Sequence, residues 1–368
     1  MNKSISFSGR LALQQRVLPS YRVPFFDMLA RACDGSLSLF AGTPRPDEGI
    51  TNGRLQIAGY AAAKNIHLFG GALYLCYQRG LVDWLEKWNP DVLIVEANPR
   101  YLATASAVQW MHAHGRKVIG WGLGAPPISG SLGSLRKTRR IRFLSQFDGL
   151  ISYSRRGADE YAALGFPPER TFTACNAVAP RPLQPTPSRS PAFKDHPVVL
   201  FVGRLQARKR VDDLLHACSE MESKPGLIIV GDGPERENLE ALAKRVYPSA
   251  EFVGAKHGAE LEPYFKAADL FVLPGTGGLA VQEAMSYGLP IIVAKGDGTQ
   301  DDLVRESNGW QIPHDDYYAL VRTIRMALSD AGRLRAMGAE SYRIVSEEIN
   351  LEKMVEVFVQ AANSGISG

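Results

Sequence analysis

Two basic side chains and a group of glycines follow two apolar segments that the sequence predicts to be buried strands. Arg204 and Lys209 come after residues 198–202, and the glycine-rich residues 275–278 come after residues 270–273. In parallel sheets, ligands bind outside the carboxyl ends of the strands. An arginine fork and a lysine point charge can neutralise a diphosphate there, and glycines let the backbone approach it closely. The pattern predicts an anion site, and the alternative is that Arg204 pairs with an acidic neighbour.

A short helix is predicted over residues 279–287, with Gly288 after its end and Pro290 blocking its continuation. A glycine turn that opens a helix is suited to anions, because free backbone N–H groups face the ligand. Glu283 lies about one turn into this helix, where its carboxylate can reach a sugar hydroxyl. A tight loop beside a surface glutamate fits the same residues equally well, so other segments have to decide.

Apolar strands alternate with helices in both halves of the chain. In the first half the predicted strands are 11–17, 37–41, 65–69, 91–96, 117–122, 147–152 and 171–174, and the predicted helices are 25–33, 73–88, 101–114 and 155–164. In the second half the predicted strands are 198–202, 227–230, 251–254, 270–273 and 291–293, and the predicted helices are 211–221, 235–246, 260–267, 279–287, 317–328, 331–346 and 351–362, with a polar loop at 294–302. This α/β pattern predicts parallel, doubly wound, Rossmann-like sheets.

The chain of 368 residues suits two domains, and its proline content marks the boundary. Residues 179–197 carry prolines too densely for a helix or a sheet, which predicts an extended linker. We expect an N-terminal domain over residues 1–178, a second domain over 198–346 and a C-terminal helix within 347–368.

Composition predicts an ordinary globular protein, with 45% hydrophobic and 22% charged residues. No apolar run approaches the ~20 residues that span a bilayer, and the first ten residues lack the apolar centre of a signal peptide, which predicts a cytoplasmic protein. Cys33, Cys76, Cys175 and Cys218 are scattered, which favours buried thiols over disulfides or zinc. No D-x-D motif follows a strand, so we expect no metal ion.

The net charge of +4 hides an asymmetry between the two halves. Residues 1–185 hold 22 Lys/Arg against 12 Asp/Glu, and residues 186–368 hold 20 against 26. The segment 135–147 is basic and also carries apolar residues, so it predicts peripheral contact with an anionic membrane, at the inner face. The alternative is a solvated helix whose apolar side packs on its own domain. Nucleic acid is a poorer partner, because no recognisable nucleic-acid module accompanies the patch.

The first predicted strand, residues 11–17, is unusually polar because it contains Gln14, Gln15 and Arg16. A loop with Tyr21 and Arg22 follows it. These two side chains could face a cleft between the domains, or they could only brace the turn.

The motifs of the second half, taken together, resemble a known family. In chain order they are V-G-R-L-Q-A-R-K-R-V-D-D-L-L, I-V-G-D-G-P-E-R, F-V-G and A-D-L-F-V-L-P-G-T-G-G-L-A-V-Q-E-A-M-S-Y-G-L-P-I-I-V. The order and spacing resemble the retaining nucleotide-sugar glycosyltransferases of the family-4 type, which have a GT-B fold. The first half resembles them only in architecture and in short pieces such as Y-R-V-P-F-F.

The resemblance implies that Arg204 and Lys209 hold the diphosphate of a UDP- or GDP-sugar and that Glu283 binds the nucleotide ribose. The other donor-binding residues that it implies, some through backbone N–H groups, are Gly203, Gly231, Gly233, Val253, Lys256, Thr276, Gly277, Gly278 and Leu279. The acceptor, a glycan or a lipid-linked sugar, would bind the first domain, where Tyr21 and Arg22 are the candidate residues. The final helix would cross back to that domain.

One position departs from the family's pattern. The family carries two glutamates in an E-x7-E motif, and the first of them falls on Gly275 here. The absence of this glutamate affects the predictions of the donor sugar, of retention of configuration and of the catalytic residues. The prediction is a hexosyltransferase of cell-envelope or polysaccharide biosynthesis. The alternatives are a nucleotide-sugar epimerase or hydrolase, and a non-catalytic protein that binds a sugar nucleotide.

Overall fold

The computed structural model describes residues 6–128, 133–193, 196–296 and 298–364. The chain divides into two compact units. The first unit contains the chain up to Val178 together with the segment that starts at Leu351, and the second unit is Ala179–Asn350.

The first unit is built on a seven-stranded parallel sheet. Its strands, with a separate hairpin formed by β4 and β5, are β1 (Leu11–Val17), β2 (Leu37–Gly42), β3 (Gly59–Ala62), β4 (Lys64–Leu68), β5 (Leu75–Arg79), β6 (Val92–Glu96), β7 (Lys117–Gly122), β8 (Gly149–Ser152) and β9 (Thr171–Thr173). The helices between them are α1 (Val23–Arg31), α2 (Leu81–Trp88), α3 (Thr104–Ala113), α4 (Gly133–Leu144) and α5 (Arg155–Ala163). The strand order is β3-β2-β1-β6-β7-β8-β9.

The second unit is built on a six-stranded parallel sheet in the order β12-β11-β10-β13-β14-β15. Its strands are β10 (Val198–Val202), β11 (Gly226–Val230), β12 (Ala250–Gly254), β13 (Leu270–Leu273), β14 (Ile291–Ala294) and β15 (Gly309–Ile312). Its helices are α6 (Val211–Ser219), α7 (Arg236–Val246), α8 (Glu262–Ala267), α9 (Ala280–Ser286), α10 (Thr299–Leu303), α11 (Tyr317–Leu328) and α12 (Ala331–Glu347). Strands β13 and β14 are buried throughout, as expected when helices cover both faces of a parallel sheet. The predicted α/β class with two doubly wound sheets is confirmed.

The last helix, α13 (Leu351–Ser364), packs within the first unit against α1. Its Phe358 ring lies 4.8 Å from the Phe25 ring and 4.9 Å from the Trp121 ring, centroid to centroid. Helix α13 therefore completes the core of the first unit, in agreement with the prediction that the final helix crosses back to the first domain.

The predicted helix over residues 73–88 is wrong in its first half. Residues Leu75–Arg79 form β5 because they pair antiparallel with β4, and their side chains alternate between more buried and exposed environments. The buried Gln78 amide donates to Gln15 O (3.1 Å) and to Asn65 Oδ1 (2.9 Å). Gly80 then has a φ of +87°, which separates the strand from α2. Strands β3 and β15 were not predicted, and α10 lies in a segment that was predicted to be a loop.

The proline-rich segment 179–193 contains no helix or strand, and its described residues belong to the second unit. The guanidinium of Arg189 donates to the carbonyl oxygens of Phe265 (2.8 Å) and Tyr287 (3.1 Å), at the ends of α8 and α9. These bonds satisfy carbonyl groups that helix ends leave without an intrahelical partner. The segment is therefore held on the second unit.

Cys33, Cys76 and Cys218 are buried, Cys175 is half-buried, and none of these four described residues forms a disulfide. Burial raises the pKa of the Cys218 thiol to about 12. Over the described ranges, no helix combines the length and the apolar character that crossing a membrane requires.

Candidate functional site

The residues predicted to bind a donor follow the carboxyl ends of four adjacent strands, β12, β11, β10 and β13. Arg204 and Lys209 follow β10, and the glycine turn 274–279 follows β13. These two strands are neighbours at the point where the strand order changes direction, and such switch points are where doubly wound sheets bind ligands. The sheet topology therefore brings the predicted cations and the predicted glycine turn to one place.

Backbone contacts join the turns after β10, β11 and β12. Leu205 N donates to Asp232 O (2.9 Å), and Gly231 N donates to Gly254 O (2.9 Å). A Cβ atom on Gly231 would lie 1.9 Å from Gly203 O, and one on Gly233 would lie 2.2 Å from Leu205 O. The glycines therefore permit turn-to-turn packing, and their contact with a ligand stays a prediction.

Lys209 is buried and reaches the glycine turn. Its Nζ atom donates to Thr276 O (2.7 Å) and Gly277 O (2.6 Å), and Arg208 Nη1 also donates to Thr276 O (3.2 Å). Burial, together with the positive charge of Arg208, lowers the pKa of Lys209 to about 8. An ammonium group has three N–H donors, so one donor beyond these two bonds can serve a ligand.

The turn after β13 lies directly on the segment that carries Lys209. Thr276 N donates to Arg208 O (3.1 Å). A Cβ atom on Gly275 would lie 2.1 Å from Arg208 O and 2.5 Å from Lys209 Cα. Backbone atoms cannot be displaced as easily as the end of a side chain, so this packing admits only glycine at position 275. The contact between the two strand ends therefore requires glycine where the E-x7-E pattern has its first glutamate.

Arg204 is exposed, and among the residues that the structure describes it makes no hydrogen bond or ion pair. The predicted alternative, an ion pair with an acidic neighbour, is therefore absent there. Glu283 lies half-buried on α9, and burial raises the pKa of its carboxyl group. Val253 and Lys256 lie half-buried at the end of β12. Leu279, directly before α9, is 42% exposed.

Arg22 is buried, contrary to a position facing a cleft. Its Nη1 atom donates to Ala177 O (3.2 Å), and its guanidinium lies 5.4 Å from the Trp121 ring and 5.7 Å from the Tyr153 ring. Its Nη2 atom donates to Asn176 Oδ1, so Arg22 braces the interior of the first unit. Tyr21 is 43% exposed, and contact of either residue with an acceptor stays a prediction.

A second cluster, missed from the sequence, lies where the strand order of the first sheet changes direction, between β1 and β6. Arg16 N donates to Glu96 Oε2 (2.6 Å), and the Arg16 guanidinium lies 3.0 Å from Glu48. Burial raises the pKa of Glu96 to about 7, against the opposing effect of Arg16. Burial also acts to raise the pKa of Glu48, but hydrogen bonds from Arg16 and Arg45 outweigh burial and lower this pKa. The signal in the sequence was the polar character of β1.

The described residues contain no group of three or more His, Cys, Asp or Glu side chains that could hold a metal ion. The charged side chains that bond to carbonyl oxygens of the glycine turn are Lys209 and Arg208.

Comparison with known proteins identifies the second unit. Residues 185–344 match the family described as Glycosyl transferases group 1. The second unit is a group 1 glycosyl transferase domain. Over 124 residues the chain is 36% identical to a GDP-mannose-dependent alpha-mannosyltransferase of Mycobacterium tuberculosis, with 33% of this chain and 31% of the relative covered. Over 118 residues it is 35% identical to the sulfoquinovosyl transferase SQD2 of Arabidopsis thaliana, with 31% of this chain and 22% of the relative covered. These matches span less than a third of the relatives' own length.

Solved structures resemble the whole chain, including the unit outside the group 1 domain. Anabaena Alr3699/HepE in complex with UDP aligns with a TM-score of 0.69 at 14% identity, covering 96% of this chain and 99% of that one. The lipopolysaccharide outer core galactosyltransferase WaaB aligns with a TM-score of 0.66 at 16% identity, covering 96% and 99%. The predicted GT-B fold is confirmed.

Proposed function

We propose that the protein transfers a hexose from a UDP- or GDP-sugar to a glycan or lipid-linked acceptor in cell-envelope or polysaccharide biosynthesis. The observation that carries the proposal is the bonding of Lys209 to the glycine turn 274–279 at the switch point of the second unit, in the segment that also carries Arg204. The names of similar proteins support the donor class, because one is GDP-mannose-dependent and another was solved with UDP.

The proposed reaction breaks the bond between the anomeric carbon and the diphosphate and forms a bond to an acceptor oxygen. Negative charge grows on the departing diphosphate, and preorganised cations stabilise such charge most effectively in a site that excludes water. Arg204 would supply a planar fork and Lys209 its remaining N–H donor. Retention of configuration and independence of metal ions are parts of the proposal that rest on the family resemblance.

The remaining donor contacts that we propose rest on the family resemblance, and their residues lie along the same edge of the sheet. Backbone N–H groups at Gly278 and Leu279 would face the phosphates, and Glu283 would accept from the ribose hydroxyls. The residues proposed to line the donor from the neighbouring strand ends and the turn are Gly203, Gly231, Gly233, Val253, Lys256, Thr276 and Gly277.

Thermal unfolding with a panel of UDP-, GDP- and ADP-sugars tests donor binding, with Arg204→Ala as the variant. A ligand that binds only the folded state adds about 2.7 kcal/mol at one hundred times its Kd, or roughly 5–10 °C for a unit of this size. We expect one donor to raise the Tm of the wild type and not that of Arg204→Ala. Without ligand the two proteins should melt alike, because Arg204 has no partner among the described residues.

Arg322→Ala is the matched control, because Arg322 is an exposed arginine on α11 of the same unit. It should keep the full shift. If no nucleotide sugar shifts the wild type, the proposal of a donor site fails.

Gly275 favours one further candidate, a protein that binds a sugar nucleotide without catalysis, because the family's first glutamate has no place there. Product analysis separates the candidates. A transferase forms a glycosylated acceptor, an epimerase or hydrolase consumes donor without acceptor, and a binding protein leaves the donor intact while still showing the thermal shift.

We also propose that α4 contacts an anionic membrane. Its Leu135 and Ile141 are 49% and 38% exposed beside exposed basic residues, whereas Leu144 and Phe147 of the same predicted apolar side are buried in the core. Each basic residue near an anionic surface contributes roughly 1 kcal/mol. Replacing Arg136, Lys137, Arg139 and Arg140 by Gln should therefore weaken binding to anionic vesicles by at least about tenfold. The control replaces Lys244 and Arg245 on α7 by Gln. Unchanged binding of the α4 variant to the vesicles would refute the membrane contact.

A further inference from the structure

The hairpin of β4 and β5 packs on the first unit with one of its two faces. Alternate residues of a strand point to opposite faces. On the inner face, Asn65 Nδ2 donates to Arg16 O (2.8 Å) at the end of β1. The buried Gln78 amide of the same face donates to Gln15 O (3.1 Å). These bonds hold the inner face on the sheet, so the outer face is the one that solvent reaches.

The outer face changes from charged to apolar along the hairpin. Its cross-strand pairs, from the open end to the turn, are Lys64 with Arg79, Ile66 with Tyr77 and Leu68 with Leu75. Ile66, Leu68 and Tyr77 are exposed, although their side chains are large and apolar. The face therefore presents two cations at one end and an apolar strip that leads from them to the turn.

The turn that closes the hairpin exposes two further large apolar side chains. Phe69 is 71% exposed and Leu73 is 75% exposed. Phe69 also has a φ of +59°, a conformation that is unfavourable for a bulky residue and that glycine adopts freely. Large apolar side chains gathered in one exposed patch mark a surface that contacts a protein or a membrane.

The charge of this region decides between those two kinds of partner. Residues 49–82 contain no Asp or Glu, and Lys64 and Arg79 lie directly opposite each other. Like charges in that position repel, and among the residues that the structure describes neither cation forms an ion pair. Glu48 and Arg16 line a cavity beside the turn, but they pair with each other at 3.0 Å. The face therefore suits a partner that is anionic at its surface and apolar beneath it.

We propose that the outer face of this hairpin contacts an anionic lipid surface, with Phe69 and Leu73 inserted below the headgroups and with Lys64 and Arg79 at the lipid phosphates. Amphipathic elements bury their apolar side chains about 5–10 Å into the boundary between headgroups and acyl chains. Tyrosine is favoured at that boundary, which is the level that Tyr77 would occupy. A second copy that used the same face would bring no acidic side chain to these cations.

This contact is separate from the donor site and from α4, and it would hold whether or not the protein transfers a sugar. The contact proposed for α4 depends mainly on charge, whereas the hairpin adds insertion of apolar side chains. Salt should therefore release a variant that lacks the apolar turn more readily than it releases the wild type.

Co-sedimentation of the full-length protein with vesicles of equal parts phosphatidylcholine and phosphatidylglycerol tests the contact. The variant Phe69→Gly with Leu73→Ser should bind at least about tenfold more weakly, because each apolar side chain withdrawn from water contributes about that factor. Its Tm should not fall, since both side chains are exposed and glycine suits the backbone at position 69. The matched control, Leu183→Ser with Tyr318→Ser, replaces two exposed side chains of the second unit and should bind as the wild type does.

Fluorescence tests the insertion directly. The emission of Phe69→Trp, taken as the difference from the wild type, should move to shorter wavelength with the anionic vesicles and much less with phosphatidylcholine alone. The emission of Tyr318→Trp should not move. The proposal is overturned if the Phe69→Gly, Leu73→Ser variant binds the vesicles as its control does, or if the emission of Phe69→Trp is unchanged.

Two further results separate this contact from its alternatives. If the wild type does not bind vesicles but self-associates, and the Phe69→Gly, Leu73→Ser variant does not, a second copy covers the face and the lipid contact is overturned. If the α4 variant binds the vesicles as the wild type does while the hairpin variant does not, the hairpin contact is supported and only the α4 contact is refuted.

Discussion

Replacing Lys209 by alanine is expected to reduce sugar transfer by about 10²–10³-fold, the usual cost of removing one donor that stabilises transition-state charge. The ammonium group holds two carbonyl oxygens of the glycine turn, Thr276 O and Gly277 O. Its loss removes both the cation and the support of the turn that would face the diphosphate. Initial rates at saturating acceptor measure the effect.

Arg208→Ala is the control for this prediction, because Arg208 is exposed and also donates to Thr276 O. It should lower the rate far less than Lys209→Ala does. Equal losses of activity in the two variants would show that removing either cation beside the turn has the same effect. That result would contradict a specific role for Lys209.

The lowered pKa of Lys209, about 8, gives this prediction a pH dependence. Only the protonated amine attracts a diphosphate, so donor affinity should be constant below pH 8. Above it, affinity should fall by up to about tenfold per pH unit as the free protein loses this proton. Lys209→Arg keeps its charge at every pH used and should show no such decline, whatever its absolute affinity. A decline of the same size in Lys209→Arg would assign the titration to another group.

Restoring the family's glutamate, Gly275→Glu, is expected to destabilise the second unit and to abolish the donor-induced thermal shift. The new Cβ atom would lie 2.1 Å from Arg208 O, which is backbone. Overpacking of this kind costs about 1–3 kcal/mol, and a Tm drop of roughly 5–10 °C corresponds to the upper part of that range. Differential scanning calorimetry measures the drop.

Gly226→Ala is the matched control, because a Cβ atom there would meet its nearest neighbour, Val198 Cγ2, at 3.4 Å. Its Tm should change little. If Gly275→Glu instead kept its Tm and gained transfer activity, the turn would be free to rearrange. Gly275 would then mark the loss of a catalytic glutamate and would have no role in packing.

The second unit was largely predictable because its buried strands are short apolar runs that end in glycine or proline. Strand β13 stops at Pro274, and β10 stops at Gly203. Where both faces of a strand are covered, the sequence needs no alternation to reveal it. The cations after these strands could be placed at one edge from topology alone.

The failures concern residues whose role depends on distant contacts. Residues Leu75–Arg79 contain no glycine or proline, and only pairing with β4 makes them a strand. Arg22 follows β1 as a ligand-binding residue would, but its guanidinium lies against the rings of Trp121 on β7 and of Tyr153, directly after β8. The cavity around Arg16 gathers side chains from several separate segments, so local patterns could only hint at it through the polarity of β1. Lys209 was assigned to a ligand, and its bonds to the turn could not be foreseen from spacing.

The position of α13 has a consequence for biosynthesis. The 172 residues of Ala179–Asn350 are translated between the body of the first unit and the helix that completes it. At about 5–20 residues per second, a ribosome needs about 10–30 s for that stretch. Throughout this interval Phe25 and Trp121 lack the Phe358 ring that packs on both of them. The nascent first unit therefore exposes an aromatic surface that chaperones can bind, and it closes only after α13 has left the ribosome.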